Sequence, residues 1–226
     1  MADSKISALT ALAGADIATA TDVLPIVDTS VTTTKKTTID DLGTSLGATQ
    51  AEVNAMTSTN TLLTPAINKI VLGTEQASTS GTSIDFTGIP AGVRRITIMF
   101  AGVSTAGGTD SVIVQLGDAG GIENSGYVSC GSVIDTAVNT ASSTAGFIIR
   151  TNNASRVFSG AMVISLEDSA NFSWVETHNV IDTTASTANF CGAGIKSLSA
   201  ELTQLRIALS GSDTFDAGAI NISYER

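Results

Sequence analysis

From residue 83 to residue 226, apolar residues repeatedly alternate with polar ones, and Gly, Pro or a Ser/Thr cluster interrupts the alternation at short intervals. A period of two bounded by turn residues is the mark of a half-buried strand. The pattern is sharpest at its start, in residues 83–104, SIDFTGIPAGVRRITIMFAGVS. Ile84 and Phe86 alternate there with polar residues, and Gly88 to Gly92 turns the chain. Ile96, Ile98 and Phe100 then share one face of a second strand, with Thr97 and Met99 on the other. Pro90 has no N–H to give a ladder and belongs in the connection. Arg94 and Arg95 at the strand start are expected to be one solvated and one stacked arginine, with a ligand-binding pair as the alternative.

The same pattern predicts strands at 84–86, 94–101, 111–116, 126–130, 146–150, 156–166, 172–179, 188–196, 203–209 and 219–224. No long helical period interrupts them. The spacing predicts a mainly β chain whose C-terminal domain, 83–226, is an antiparallel β-sandwich of jelly-roll-like type. Trp174, alternating with Phe172, is expected to anchor its core; an exposed aromatic platform for a sugar is the alternative. Residues 75–82, EQASTSGT, read as a flexible joint and a domain boundary.

Charged residues make up only 14% of the 226, and mean hydropathy is +0.28. No apolar run approaches the roughly 18 residues of a transmembrane helix. Apolar surface is therefore expected to be covered by other copies of the chain, so an oligomer is expected, with no membrane insertion. A net charge of −10 argues against a nucleic-acid partner, which needs a basic face. The N-terminus has one Lys and no continuous apolar segment after it, so no signal peptide is expected. Cys130 and Cys191 are far apart and outside any CxxC spacing. They are read as buried thiols, with a single disulfide as the alternative.

The first 46 residues hold too few apolar groups for a core of their own. Leu24, Ile26 and Val27 lie in a short apolar run closed by Asp22 and Asp28, and residues 35–39 would return as a second strand. Thr38 and Asp41 would cap a helical turn carrying Ile39 and Leu42. Thr49 and Glu52 form a capping box for a short helix through Met56. Thr64-Pro65 would open a second one, carrying Ile67 and Ile70. Each is shorter than the roughly 12–15 residues that hold a helix alone in water; the alternative to a multi-chain bundle is an ordinary intramolecular linker.

Three stretches carry a resemblance. KISALTALAGADIATATDVLPIVDTSVTTTKKTTIDDL, residues 5–42, resembles the N-terminal attachment module of tailed-bacteriophage fibre and fibre-like virion proteins. Residues 48–65, ATQAEVNAMTSTNTLLTP, are similar to a repeat found along phage tail fibres, with Met56 where that repeat often has Gly. VQLGDAGGIENSGY, residues 114–127, resembles a strand-and-loop element of phage tail and fibre domains. The resemblance implies attachment to other virion proteins through residues 1–46, with Leu24, Ile26, Val27, Ile39 and Leu42 as the attachment residues. It implies a trimeric helical stalk over 47–82 and a virion location, after assembly in the host cytoplasm. In the third stretch Asp118, Glu123 and Asn124 bring oxygens together. A Ca²⁺ site is the alternative there to turn-forming acids, although the spacing is not that of an EF-hand.

Enzymatic function is not expected. The chain has one histidine, His178, read as a surface or packed residue, and no GxSxG, HExxH, P-loop or GxGxxG. The acid pairs Glu167/Asp168 and Asp213/Asp216 sit in expected turns. The leading reading is a tail fibre whose knob binds a host-surface glycan through Ser/Thr/Asn-rich loops, since binding residues concentrate on loops of a rigid scaffold. Thr105 and Thr109, Asn139 and Thr140, and Thr183 and Thr184 are the candidate residues, with no metal, cofactor or catalytic group. A capsid decoration, cement or head-fibre protein is the second reading, and a hydrolase built on the acid pairs the third.

Overall fold

The structure is a computed structural model that describes residues 23–27, 34–38, 70–151, 153, 156–184 and 188–226. The chain forms two compact units, Met1–Ile67 and Asn68–Arg226. In the first, β1 (Val23–Val27) and β2 (Thr34–Thr38) pair antiparallel, Val23 opposite Thr38 and Val27 opposite Thr34. Pro25 is tolerated because both strands of a two-stranded ribbon are edges. Leu24, Ile26 and Val27 lie on β1. Ile39, Leu42 and the expected helices over 49–56 and from Pro65 to 69 fall outside the described residues. Among the described residues there is no helix; Ile70, expected on the second one, is exposed and irregular.

The second unit is built of antiparallel strands, as the alternation predicts. Its first are β3 (Val71–Leu72), β4 (Gln76–Ala77), β5 (Ser83–Thr87), β6 (Arg95–Ala106), β7 (Val112–Asp118), β8 (Gly121–Ile122) and β9 (Val128–Ile134). Then come β10 (Val138–Ser143), β11 (Phe147–Ile149), β12 (Phe158–Asp168), β13 (Ser173–Asp182), β14 (Asn189–Ser197), β15 (Gln204–Leu209) and β16 (Thr214–Glu225). One sheet runs β10-β9-β14-β13-β12-β6-β16-β3, with β4 also on β16. The other runs β11-β7-β15-β5, with β8 on β7.

The two sheets contribute to one hydrophobic cluster. Ile96, Ile98 and Phe100 of β6 lie in it with Met162 and Ile164 of β12 and Ile220 and Ile222 of β16. Val112, Val114 and Leu116 of β7, Leu205 and Ile207 of β15, and Ile84 and Phe86 of β5 come from the second sheet. Each such side chain taken out of water contributes about 1.5–3 kcal/mol, so these alternating triplets position everything else. Trp174 is 2% exposed and part of the same cluster; the sugar-platform alternative is thereby overturned. The Gly88 to Gly92 turn closes as expected, both glycines at positive φ (73° and 81°) where a side chain would be strained.

Four strands were not predicted. Residues 75–82 were expected to be a loose joint, yet Gly73 N–H donates to Ile222 O (2.7 Å) and Ser78 N–H to Gly218 O (2.9 Å), and β3 and β4 lie along β16. Backbone pairing needs no apolar side chains, so a Ser/Thr-rich segment takes this place unannounced. The same holds for β8 and for β10, which reads Val-Asn-Thr-Ala-Ser-Ser and was expected to be a loop.

Candidate functional site

The register decides which connections share an end of the second unit. Val71 pairs with Tyr224, so the chain joins the sheet beside the last strand. Arg95 opposite Glu225 and Ser173 opposite Ser197 lie at that same, near end. At the far end Thr214 faces Ala106, Phe158 faces Asp182, and Val138 faces Ile134. In the second sheet Leu209 faces Val112 and Ile149 faces Val112 from the other side. The described residues of the connections, 107–111, 135–137, 150, 151, 153, 156, 157, 183, 184, 188 and 210–213, are therefore gathered at the far end. All three candidate loops belong to it.

Two polar clamps hold this end. Arg156 Nη2 donates to Asp135 Oδ2 at 2.6 Å, and its Nη1 lies 3.7 Å from Asp182 Oδ2. Its guanidinium sits 5.4 Å from the centre of the Phe190 ring. Hydrogen bonds to Asp135 from the Ala137 N–H and then from Arg156 hold its carboxyl below the usual range. On the other side, Asp213 Oδ2 accepts from the N–H groups of Gly108 (2.8 Å) and Asp110 (3.3 Å). The Asp213 N–H donates back to Asp110 Oδ2 at 2.9 Å, and Thr151 Oγ1 donates to Asp110 O at 2.8 Å. Side-chain carboxylates that satisfy loop N–H groups fix the loops, which matches the expected turn role of Asp213.

The six candidate residues fare differently. Thr109 is exposed between two clamped neighbours, and Asn139 and Thr140 are exposed on β10 rather than in a loop. Thr105 is 5% exposed, because β6 runs on to Ala106 and turns this side chain inward; it cannot meet a ligand. Thr183 Oγ1 donates to Val157 O at 2.9 Å, and Thr184 donates to the Asp182 carboxylate. Their hydroxyl protons are thus committed within the chain. What faces solvent is a rigid rim of hydroxyl and amide groups flanked by Asp110, Asp135 and Asp213. Such a rim offers donors and acceptors of the kind that match a neutral polyhydroxyl ligand, and its carboxylates disfavour an anionic one.

The element over residues 114–127 lies at the near end and is locked by protein donors. Asp118 Oδ2 accepts from Ser199 Oγ (2.6 Å) and Oδ1 from the Gly120 N–H (2.7 Å). These bonds, Ser199 first, lower its pKa. Burial raises that of Glu123, but the Lys196 ammonium at 2.5 Å from Oε2 and the Ser199 N–H at 2.7 Å from Oε1 outweigh it. Lys196 Nζ lies over the Tyr127 ring, and Tyr127 Oη donates to Glu123 O at 3.0 Å while accepting from the Leu116 N–H at 2.6 Å. Burial pushes the Tyr127 phenol up. The Asp118 and Glu123 carboxylates thus serve as acceptors for Ser199, Gly120 and Lys196, the turn-forming role also expected of them.

The acid pairs do not form a joint site: Glu167 and Asp168 stand at the near end and Asp213 and Asp216 at the far end. Arg95 reaches Glu225 at 3.9 Å, both half exposed. The pair that sequence reading missed is internal. Glu176 Oε2 and His178 Nδ1 are 3.2 Å apart, both side chains fully buried, and Glu176 Oε1 and His178 Nε2 have no hydrogen-bond partner. The signal was present, since both residues share the period-two face of Trp174 and Val180. Gly192, opposite His178 in the register, makes the room: a Cβ there would meet the imidazole and come within 2.5 Å of Cys130 O. The cysteines were expected to be buried, yet both are free, Cys130 exposed and Cys191 half-buried, on the opposite face of the sheet.

No protein-family model and no curated protein matches the chain.

Proposed function

We propose that the chain is a non-enzymatic bacteriophage virion protein, a trimeric tail fibre. Residues 1–46 fix it to other virion proteins, 47–82 form a stalk whose last residues are laid into the knob's sheet, and 83–226 form the knob. The knob is a β-sandwich of jelly-roll-like type that binds a neutral host-surface glycan. The observation that carries this reading is polarity. The chain joins the knob's sheet at one end, and the clamped, polar, non-basic loops lie at the other, around Thr109 and Asn139. An attachment protein needs that separation of anchor and contact.

Antibody against 83–226, viewed on intact particles by electron microscopy, tests it. Label at the tail tip is the expected result. Label spread over the shell replaces the fibre with a capsid decoration, cement or head-fibre protein. Particles that take no label remove the virion reading altogether. For the glycan, full-length protein on a glycan array should show binding that Thr109→Arg abolishes. Binding that survives this substitution places the contact elsewhere.

A further inference from the structure

Over one half of the nine-stranded sheet the inward face mixes charged side chains with apolar ones, and large apolar side chains stand outward. On β13 the inward side chains include Glu176, His178 and Asp182, and on β14 Lys196 points inward. The outward ones are uncharged: Val175, Thr177, Asn179 and Ile181 on β13, and Asn189, Cys191, Ala193 and Ile195 on β14, with Asn189 Nδ2 donating to Asn179 Oδ1 at 2.6 Å. Six of the eight large hydrophobic side chains exposed among the described residues stand on the outer face of β10, β9, β14 and β13: Val138, Val128, Ile134, Ile195, Val175 and Ile181. They are not scattered. Val128, Ile195 and Val175 form one row across three strands, and Val138, Ile134 and Ile181 fall in another. Val128 and Val138 are 70% and 66% exposed. No charged residue stands on this face, and β10, its edge strand, carries neither charge nor proline and has no partner on its free side among the described residues. Long uncharged edges and contiguous apolar faces of this kind mark association surfaces.

We propose that this outer face is where the chain packs against a second copy of itself, resting on the trimeric reading above. Charge selects the partner. Two copies that each carry a net charge of −10 repel one another, and they approach at least cost through the face that has no charge. The opposite sheet lacks that property, since its outer side holds the Asp85–Arg206 pair. Size agrees. Four strands at ~4.8 Å spacing and about seven residues long cover roughly 440 Å², and the face continues over β12, β6 and β16 to about 900 Å². That compares with the ~800 Å² per partner of a stable interface. Charge returns at its margins, with Arg95 and Glu225 at the near-end corner and exposed Glu167 and Asp216 towards the ends of β12 and β16. On this assignment Cys130, exposed in a single chain, is covered in the assembly.

The test uses the full chain, light scattering for its mass, and maleimide labelling of Cys130 read by peptide mass spectrometry. Native protein should be oligomeric, with Cys130 labelled at least tenfold more slowly than in Val175→Lys or Ile195→Lys, each of which should be monomeric with an unchanged circular dichroism spectrum. Ala200→Lys, exposed at the near end, should leave mass and labelling as in the native chain. An oligomeric native chain whose Cys130 labels at the monomer rate overturns this face while leaving the trimer standing. A monomeric native chain overturns both. If neither lysine variant folds, labelling of the native oligomer against native chain diluted to monomer decides alone.

Discussion

The central strands β6, β12 and β16 and the lateral strands β13, β14 and β9 belong to one sheet and both feed the cluster, the lateral ones through Trp174, Val180, Phe190 and Val133, but only the lateral interior also holds charges. In the centre, Ile96, Ile98, Met162, Ile164 and Ile222 point into the cluster, and the outward positions mix Thr97, Ser165 and Ser223 with Met99 and Val163. In the lateral strands Glu176, His178, Asp182 and Lys196 are buried, while Val128, Val175, Ile181 and Ile195 face outward. The centre is a conventional half-buried sheet. The lateral half has an interior that must satisfy charges and an exterior that would profit from cover. Alternation alone reports that a strand has two different faces, and the neighbours decide which one is inside.

The sharpest break in this contrast comes from the centre. Ile98→Ala should cost about 2–5 kcal/mol, as buried aliphatic truncations do, read from the denaturant midpoint at constant slope. A loss below 1 kcal/mol would mean that the centre is not the tight part. Next, His178→Leu leaves Glu176 without its partner and should cost about 1–3 kcal/mol. The double variant Glu176→Leu, His178→Leu should recover most of that, because a buried polar pair exchanged for apolar groups is often neutral. If the loss is simply additive, the pair is not coupled. Gly192→Ala should cost about 1–3 kcal/mol by overcrowding the imidazole, and combined with His178→Ala it should cost less.

The smallest effect belongs to the other sheet. Asp85 and Arg206 make two bonds of 2.6 and 2.7 Å, but both side chains are more than one third exposed. Solvent and salt screen such a pair to ~0–1 kcal/mol. The Arg206 guanidinium holds the Asp85 carboxyl below its usual range. The native state therefore takes up that proton at lower pH than the unfolded chain does. The contribution is complete above about pH 4, and it fades as pH falls through the depressed value. Asp85→Asn should lower stability by ~0–1 kcal/mol at pH 7 and leave it unchanged below the depressed value, so that the acid limb of the stability curve flattens slightly. An effect as large as that of Ile98→Ala would contradict the screening argument.

All ten predicted strands exist, because Ile96/Ile98/Phe100, Val112/Val114/Leu116 and their like carry the alternation in their own side chains. What stayed hidden was held by backbone or by distant partners. β3, β4, β8 and β10 pair through main-chain groups that Ser, Thr and Gly supply as well as any residue. Thr105 looked like a loop residue because Ser104 precedes it and Gly107, Gly108 and Thr109 follow closely, yet its ladder to Phe215 is set by residues far along the chain. Thr109 was legible as exposed. Thr183 and Thr184 were legible as a turn, but their commitment to Val157 and Asp182 depends on the fold. The Arg156 clamp left no local trace, since its partners lie far before and after it, Asp135 in a connection, Asp182 at the end of β13 and Phe190 on β14.

The strap formed by β3 and β4 has a mechanical meaning. It runs alongside β16 from the near end towards the far end, tied by Gly73 to Ile222, by the Ser78 N–H to Gly218 and by the Ser78 hydroxyl to Ala217 at 2.8 Å. A tension that draws Ile70 away while the far loops are gripped acts parallel to these strands. The bonds then share the load in shear instead of opening one after another like a zipper. A knob tethered in this way meets a pull along its own axis, the direction in which a ladder of backbone bonds resists rupture best.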